Sequence, residues 1–403
     1  MIKKLSLLLL LTISLSSLAL SGCWSRREVE NLAIVSTLGI DAENFQGTPK
    51  YRVTCNIYKL NQAGGGGGTS QTEGPAQISP VWQITALGDT LQDAFANISI
   101  RSPRDLFVGH VKLIVISRDL ARQGIQEITD YFLRNQEIRL RTWMVVADGK
   151  AHDALRAIPD LEITISEQGA GIANRTRNSV SKYYTENLNQ FISSLATEGE
   201  DPVLGRADLI KPTPPQVGSE KVTTAIAFRG IAAFSNDKFV GWLEDSETKG
   251  FLYIIGKSRR GVIPVSVGKG RPTVSLEMEN AESQINPEII NGKLYTVVKI
   301  KAKGSIQEQG SSKELVSPQG MEELGRIFAK EIKELCLKSV KKAQHYKTDI
   351  FGFGAALHRK DPAQWRGVKD DWPEVFAEGQ IDVEVEAQII RSGQISERIK
   401  PVP

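Results

Sequence analysis

The sequence has little of what metal, redox or nucleophilic chemistry requires. Among its 403 residues there are three cysteines and four histidines, the latter being His110, His152, His345 and His358. None of these residues forms an H-E-x-x-H motif, a C-x-x-C motif or a close pair at metal-ligand spacing. The G-x-S-x-G elbow of the serine hydrolases is absent as well. We therefore predict a protein that has no catalytic activity, no metal site and no cofactor.

A strong charge of either sign is also missing. The chain carries 50 basic and 47 acidic residues, so its net charge is +3. Removal of the first 22 residues takes away Lys3 and Lys4 and leaves a charge near +1. A balance this even creates no field that would attract nucleic acid, and no nucleic-acid partner is predicted. Beyond the N-terminus no run of about 18 apolar residues occurs, which argues against a later membrane-spanning helix.

What is present begins with an N-terminal pattern typical of bacterial lipoproteins. Two lysines precede the uncharged, mostly apolar segment Leu5–Leu20, and small residues lead from it to Cys23. An ordinary secretory signal would end in an A-x-A-like site, and a spanning helix needs about 20 apolar residues. We predict that residues 1–22 are a signal peptide and that Cys23 is the lipid attachment site. A diacylglyceryl group on its thiol would hold the protein on the extracytoplasmic face of the membrane.

The rest of the chain divides at a proline-rich stretch. About 380 residues follow the signal peptide, enough for two or three domains of roughly 150 residues each. Residues 211–218 include three prolines and suit neither a helix nor a sheet ladder. We therefore place a linker at 211–220, between an N-terminal domain at 23–210 and a C-terminal domain at 221–403. The mixture of strand and helix patterns predicts a multidomain α+β fold with mixed sheets and packed helices.

The N-terminal half combines strands with amphipathic helices. Strands are predicted at Ala33–Ile40, Tyr51–Ile57 and Val81–Ala86. The glycine run Gly64–Gly68 lies between the second and third of them and lacks the Lys-Ser/Thr of a phosphate-binding loop, so we interpret it as a loop tip. A helix at Ile125–Leu133 is predicted to direct Ile128, Phe132 and Leu133 towards the core.

The C-terminal half is dominated by strands and by one long helix. Strands are predicted at Thr224–Phe234, Lys238–Leu243, Phe251–Ile255, Val262–Val267, Thr273–Met278, Leu294–Ala302 and Ile381–Ile390. The first two are joined by a short polar turn that indicates a hairpin. The long helix starts near Pro318. Its apolar stripe is predicted to comprise Leu324, Ile327, Phe328, Ile332, Leu335 and Cys336.

The two cysteines other than Cys23 occupy positions typical of a core. Cys55 lies on a predicted strand, and Cys336 lies on the apolar side of the long helix. A disulfide between them is the alternative in an oxidising compartment. Because each fits a core position of its own, we predict two buried thiols.

A row of acids on the last strand has two interpretations. Asp382, Glu384 and Glu386 alternate with apolar residues, and a cluster of carboxylates suggests a calcium or glycosidase site. The same alternation is what the solvated face of a strand shows, whereas paired catalytic carboxylates come from opposite sides of a cleft. We favour the solvated face.

A basic group of residues also has two interpretations. Lys257, Arg259, Arg260, Lys269 and Arg271 lie close together in the sequence. In a tethered protein they suggest contact with anionic lipid. We favour ordinary hairpin surface charge, because acids are about as numerous as bases in the chain.

A series of short segments then resembles a known family. They are Gly22–Val35, Leu106–Lys112, Glu137–Arg139, Gly241–Leu243, Thr248–Gly250, Asp349–Gly354 and Trp365. In this order they resemble the Ger(x)C family, the lipoprotein C subunits of bacterial spore germinant receptors. The resemblance covers nearly the whole mature chain. Two features depart from it: Ser25 stands where many members have aspartate, and the glycine run is peculiar to this chain.

The resemblance implies a function that composition does not reveal. It implies a non-enzymatic, lipid-anchored subunit of a nutrient germinant receptor in the spore inner membrane, required for germination. It also implies two polytopic membrane subunits as partners. The alternative is a surface lipoprotein of another class, either a solute-binding protein or a cell-wall enzyme. The former would show two similar doubly wound lobes and the latter a catalytic constellation, and neither is predicted here.

Overall fold

Two β-sheets and the helices packed on them make up the described part of the chain. The structure, a computed structural model, describes residues 28–59, 80–175, 181–211, 224–267, 273–310 and 315–391. The strands are β1 (Leu32–Phe45), β2 (Thr48–Tyr58), β3 (Val81–Gly88), β4 (Asp105–Phe107), β5 (Leu113–Ser117), β6 (Trp143–Ala147), β7 (Val203–Ile210), β8 (Ala225–Ser235), β9 (Lys238–Leu243), β10 (Val262–Val265), β11 (Val274–Ile290), β12 (Lys293–Gln309) and β13 (Gln380–Arg391). The predicted α+β class is confirmed.

Eleven α-helices accompany these strands in the described residues. They are α1 (Leu91–Ser99), α2 (Arg118–Gln123), α3 (Gln126–Arg134), α4 (Ala151–Ala154), α5 (Ile165–Asn174), α6 (Leu188–Leu195), α7 (Asp245–Ile254), α8 (Pro318–Tyr346), α9 (Phe353–Lys360), α10 (Pro362–Arg366) and α11 (Trp372–Ala377). Short polar side chains start several of them. Thr90, for example, accepts a hydrogen bond from the backbone N–H of Asp93 at the start of α1.

The first sheet has nine strands in the order β3-β2-β1-β5-β6-β7-β8-β9, with β4 paired to the start of β1. Its central strands, β1, β5, β6 and β7, run parallel. All five side chains of β5 are buried, because helices cover both faces of the sheet there. Helices α1, α2, α3 and α6 pack on one face, and α4 and α5 pack on the other.

The second sheet has four strands in the order β10-β11-β12-β13. Its two longest strands, β11 and β12, form a hairpin whose two-residue turn consists of Asn291 and Gly292, with φ of 52° and 77°. Positive φ at both turn residues suits the right-handed twist of the strands. Strand β13 returns parallel to β12 after the four helices α8–α11.

Helix α8 covers the inner face of the second sheet. Ser317 caps it, and Pro318 occupies its first turn. Four of the six residues of the predicted stripe, Leu324, Phe328, Ile332 and Cys336, are buried in the core. Ile327 and Leu335 are only partly buried. They lie at the two edges of the stripe, where the surface of the helix curves away from the sheet.

The proline-rich boundary does not separate the two sheets. Residues 212–223 lie outside the described part of the chain, but the strands on either side of them, β7 and β8, pair antiparallel. Strands β8 and β9 therefore extend the first sheet, although they follow the proposed linker. The core of the second sheet also includes Val203 and Ile231 from the first, so the two sheets share one apolar cluster.

Two local predictions were wrong. Of the predicted strand Phe251–Ile255, the first four residues lie in helix α7 and Ile255 is its C-cap, since Glu244 and Glu247 form a capping box that starts a helix ahead of this apolar run. All of Phe251, Leu252, Tyr253 and Ile254 are buried, and four consecutive buried residues show no amphipathic period. On helix α3, Leu133 is 52% exposed, whereas Ile128 and Phe132 are buried as predicted.

Candidate functional site

The predicted anchor lies outside the described residues. Cys23 precedes residue 28, so lipid attachment stays a prediction. The glycine run Gly64–Gly68 also lies outside, between the paired strands β2 and β3. Cys55 and Cys336 are free and buried, as predicted, and burial raises the pKa of both thiols. In the described ranges no helix is long and apolar enough to span a membrane.

The four histidines lie in four different places. His110 is exposed beside the ring of Phe107, and His345 is exposed near the end of α8. His152 lies half-buried with Nδ1 at 3.3 Å from the hydroxyl of Thr54. His358, in α9, stacks on the ring of Trp365, in α10. Across the described residues, no group of three or more His, Cys, Asp or Glu side chains is placed to hold a metal ion.

The acid row of β13 belongs to a ladder of alternating charge. Lys299 and Lys301 of β12 lie opposite Glu384 and Glu386 of β13, and Lys299 reaches Glu384 at 3.6 Å. On the other side of β12, Glu282 of β11 lies opposite Lys301. Cross-strand pairs of opposite charge stabilise an exposed sheet face. This arrangement supports the solvated-face interpretation of the acids.

One member of the basic group, Lys257, is exposed and reaches a buried pair, Tyr184 and Glu186. Its ammonium donates to the Tyr184 hydroxyl at 2.6 Å and lies 4.9 Å from the centre of that ring. The same hydroxyl donates to Glu186 Oε1 at 3.1 Å. Burial raises the pKa of Glu186 to about 7, and the nearby Lys257 opposes that shift. The other carboxylate oxygen of Glu186 is buried without a hydrogen-bond partner in the described part of the chain.

The segment Asp349–Gly354 forms the centre of the candidate site. We call the contact between residues 197–201, which follow α6, and residues 348–354, which precede and start α9, the junction. The carboxylate of Asp349 accepts hydrogen bonds from the backbone N–H groups of Phe351 and Gly354, at 3.2 and 2.8 Å. It also accepts from the indole N–H of Trp372 at 3.1 Å. Burial raises the pKa of Asp349 to about 7.

A second, partly buried carboxylate joins the two sides of the junction. Asp201 Oδ2 accepts from the N–H of Asp349 at 2.9 Å, and the N–H of Asp201 donates to the carbonyl of Asp349 at 2.9 Å. Asp201 Oδ1 also accepts from the N–H of Asn236, in the β8–β9 turn, at 2.8 Å. Burial raises the pKa of Asp201. The pair thus links α6, the hairpin β8–β9 and the segment that follows α8.

Glycines allow the two sides of the junction to touch backbone to backbone. A Cβ on Gly199, whose φ is 79°, would lie 2.5 Å from the carbonyl carbon of Gly354. A Cβ on Gly354 would lie 2.7 Å from the Trp372 ring. Real Cβ atoms do not approach this closely, so each position requires glycine. The motif residue Trp365 adds a hydrogen bond from its indole N–H to Glu198 at 3.0 Å.

Two further motif segments contact helix α8 in the same way. A Cβ on Gly241 would lie 2.2 Å from the Tyr346 ring, and Tyr346 donates its hydroxyl proton to the carbonyl of Trp242 at 3.2 Å. A Cβ on Gly250 would lie 2.1 Å from the carbonyl oxygen of Leu335. The motif glycines therefore set how closely α8 packs on β9 and α7.

Two more motif segments, Leu106–Lys112 and Glu137–Arg139, border an open groove. A cavity of about 830 Å³ lies between α1 and α3, above β4, and its lining includes Leu106, Val108 and Glu137. Glu137 accepts from the N–H of Val108 at 3.5 Å, so one motif segment positions the other. The groove contains no cluster of catalytic side chains.

Sequence reasoning missed two important residues, Asp201 and Glu186. Neither belongs to a recognisable motif, and a lone acid in a polar turn usually indicates a solvated surface. Their burial depends on segments that are distant in the sequence: Asp201 pairs with Asp349, and Glu186 lies near Lys257. No signal in the local sequence would have identified them.

Comparison with known proteins gives the same family along the whole chain. Residues 25–209 match the family model described as a spore germination protein N-terminal domain, and residues 229–393 match the one described as spore germination B3/GerAC like, C-terminal. Spore germination protein KC of Bacillus subtilis (strain 168) is 28% identical, covering 98% of this chain and 97% of its own. Spore germination protein B3 of the same organism is 26% identical, covering 94% and 96%.

A solved structure has the same fold. The crystal structure of the GerBC protein superposes with a TM-score of 0.52 at 22% identity, covering 88% of this chain and 97% of that chain. Proteins of this family act in spore germination and are not enzymes. The motif segments occur in order and build the junction, and the two family models together span most of the chain. This chain therefore belongs to the Ger(x)C family of spore germination proteins.

Proposed function

We propose that this protein is a lipid-anchored, extracytoplasmic C subunit of a nutrient germinant receptor and is required for spore germination. The observation that carries the proposal is the position of Cys23. The match to the germination N-terminal domain begins at residue 25, two residues after the cysteine of the lipoprotein pattern. An anchor at Cys23 would hold that domain directly at the membrane surface.

The partners in this proposal are membrane lipid and two polytopic receptor subunits in the spore inner membrane. A diacylglyceryl group carries two acyl chains, and two chains give stable anchoring where one gives only marginal binding. Confinement to the membrane raises the local concentration of the protein near its partners. Each contact with a partner subunit can therefore be weak by itself.

We further propose that the domains at 23–210 and 221–403 work as one unit. Strand β8 pairs with β7 across the boundary, and the hydrogen bonds of the junction join residues on both sides of it. A force or contact on either domain would then act on the other. The two domains would then not move independently of each other.

The test of the anchor compares Cys23→Ala with the control Ser25→Ala, which leaves the lipobox intact. We expect Cys23→Ala to lose incorporation of radiolabelled palmitate, to leave the membrane fraction and to germinate poorly with nutrients. Overexpression should partly restore germination, since it replaces the lost local concentration. The Ser25→Ala control should behave as wild type in all of these measurements.

Two results would contradict the proposal. Equal palmitate labelling of Cys23→Ala and wild type would place the lipid elsewhere. Full germination from an untethered protein at native abundance would show that the anchor is dispensable.

A further inference from the structure

The edge strands of the two sheets differ in how their backbones are covered. Side chains of other elements donate to backbone carbonyls of three of them: Arg101 to Thr85 in β3, Tyr346 to Trp242 in β9 and Lys249 to Val262 in β10, at 2.8 to 3.2 Å. In the described part of the chain, β13 pairs with β12 on one side, and no side chain bonds its backbone. An uncovered edge strand is a template for another strand.

An apolar groove lies beside this edge. It has a volume of about 450 Å³ and separates α8 from the inner face of β13. Its lining includes Met321, Gly325 and Ala329 from the helix and Val385, Ala387 and Ile389 from the strand. Ala329 has only a short side chain to fill it, whereas at Gly325 the helix touches the strand, since a Cβ there would lie 2.8 Å from the carbonyl oxygen of Ala387. The groove therefore has space for the apolar side chains of a strand added next to β13.

The exposed face of β13, opposite the groove, indicates which charge the side chains of an added strand should carry. There the charge alternates between neighbouring strands: Glu282 of β11, Lys301 of β12 and Glu386 of β13 lie in register. Continuing the alternation places basic side chains opposite Glu384 and Glu386. A second copy of β13 paired antiparallel about Glu384 would place acids opposite acids, which is unfavourable.

We propose that the edge of β13 binds an extended segment of a partner protein in which basic residues alternate with apolar ones. The backbone of the segment would continue the second sheet. Its apolar side chains would enter the groove beneath α8, and its basic side chains would face the acid row. This inference goes beyond the proposed function, which does not say which surface contacts a partner.

The test uses two decapeptides, one of alternating lysine and valine and one of alternating glutamate and valine, added to the full chain. We expect the lysine peptide to bind about tenfold more tightly by fluorescence anisotropy, as two or three cross-strand charge pairs allow. Hydrogen exchange at residues 380–391 should slow with the lysine peptide and not with the glutamate peptide. Equal binding of both peptides, or protection elsewhere only, would overturn the proposal.

Three variants test whether the peptide binds at the edge of β13 or is attracted only by the overall charge of the protein. The double variant Glu384→Lys and Glu386→Lys should reverse the preference between the peptides. Ala329→Phe should block the groove and abolish binding of the lysine peptide. The control Glu288→Lys makes one such Glu→Lys change on β11, two strands from the edge, and should keep the preference of wild type. Thermal melting must be unchanged in each variant for its result to count, and an unreversed preference in a folded double variant would refute the assignment.

Other occupants give different outcomes, and each would overturn the proposal. A second copy would appear as concentration-dependent dimerisation of the full chain in ultracentrifugation, lost in Ala329→Phe. The chain's own residues 392–403 as occupant would appear as peptide binding only after the chain is shortened to end at Arg391.

Discussion

The junction and the edge of β13 differ in the burial and the hydrogen bonding of their polar groups. At the junction, the carboxylate of Asp349 is buried and that of Asp201 is partly buried, and each accepts hydrogen bonds from main-chain N–H groups. At the edge of β13, the acids are exposed and the backbone of the strand receives no side-chain bond within the described residues. The polar groups of the junction are hydrogen-bonded within the chain, whereas the backbone at the edge of β13 can pair with an added strand.

The residues that identify the family therefore differ from the residues that we propose to contact a partner. The motif segments with the closest approaches, around Gly241, Gly250 and Gly354, contact helix α8 or the junction. They identify the family because a tight backbone contact tolerates few substitutions. The proposed partner edge has only alternating apolar and acidic residues, a pattern shared by very many strands. Motif residues therefore mark how this fold is held together, and the binding surface has to be found in the structure.

The largest effect is expected at the junction. Asp349→Ala would leave the N–H groups of Phe351, Gly354 and Trp372 buried without an acceptor. We expect a loss of about 3–5 kcal/mol in unfolding free energy, measured with denaturant. The exposed Asp371→Ala is the control and should change it by less than about 0.5 kcal/mol. Similar small effects from both variants would show that the junction contributes little to stability.

The core beneath α8 should respond almost as strongly. Ile332 is fully buried, and Ile332→Ala should cost about 2–5 kcal/mol through lost burial and the cavity left behind. Leu335→Ala removes a partly buried side chain and should cost clearly less, and the exposed Lys341→Ala should be near neutral. Denaturant unfolding of the three variants tests this order. An equal loss in all three would contradict the packing described for α8.

An intermediate, pH-dependent effect is expected at Glu186. Burial raises its pKa from 4.5 to about 7, so the folded protein retains a proton that the unfolded chain has released. The stability contributed by Glu186 is therefore full below about pH 4.5 and is lost as the pH rises through 7. Glu186→Gln keeps an acceptor for the Tyr184 hydroxyl and removes the titration. Relative to wild type, the variant should gain about 1–3 kcal/mol between pH 5 and pH 8.

Unfolding curves at several pH values in that range provide the measurement. Some slope should remain in Glu186→Gln, because Asp349 has its pKa raised to about 7 by burial as well. The exposed Glu378→Gln serves as the control and should follow wild type at every pH. Parallel curves for Glu186→Gln and wild type would show that Glu186 does not titrate in this window.

The smallest effect is expected at the edge of β13. Glu384→Gln removes one member of an exposed ion pair, whose partner ammonium lies 3.6 Å away. Exposed pairs contribute little, so unfolding free energy should change by less than about 1 kcal/mol. The same variant should weaken binding of the lysine–valine peptide measurably. A large loss of stability without any change in binding would assign Glu384 to the fold and not to a partner surface.

The sequence alone was sufficient for the element types with a clear period. Strand β13, the hairpin β8–β9 and helix α8 were each predicted near their observed bounds, because alternation and the 3.6-residue stripe are local patterns. Helix α7 was missed because its last residues are all buried, so that this apolar run has no amphipathic period. The family also follows from short ordered segments of the sequence.

Tertiary structure decided the rest. Residues 201 and 349 lie far apart in the chain, and only folding brings Asp201 and Asp349 together and buries Asp349. Tertiary packing likewise determined that β8 and β9 join the first sheet and that the groove beside β13 stays open. Local sequence determines which face of an element is apolar. Which elements cover that face depends on the whole chain, because burial and hydrogen-bond partners are properties of contacts between distant segments.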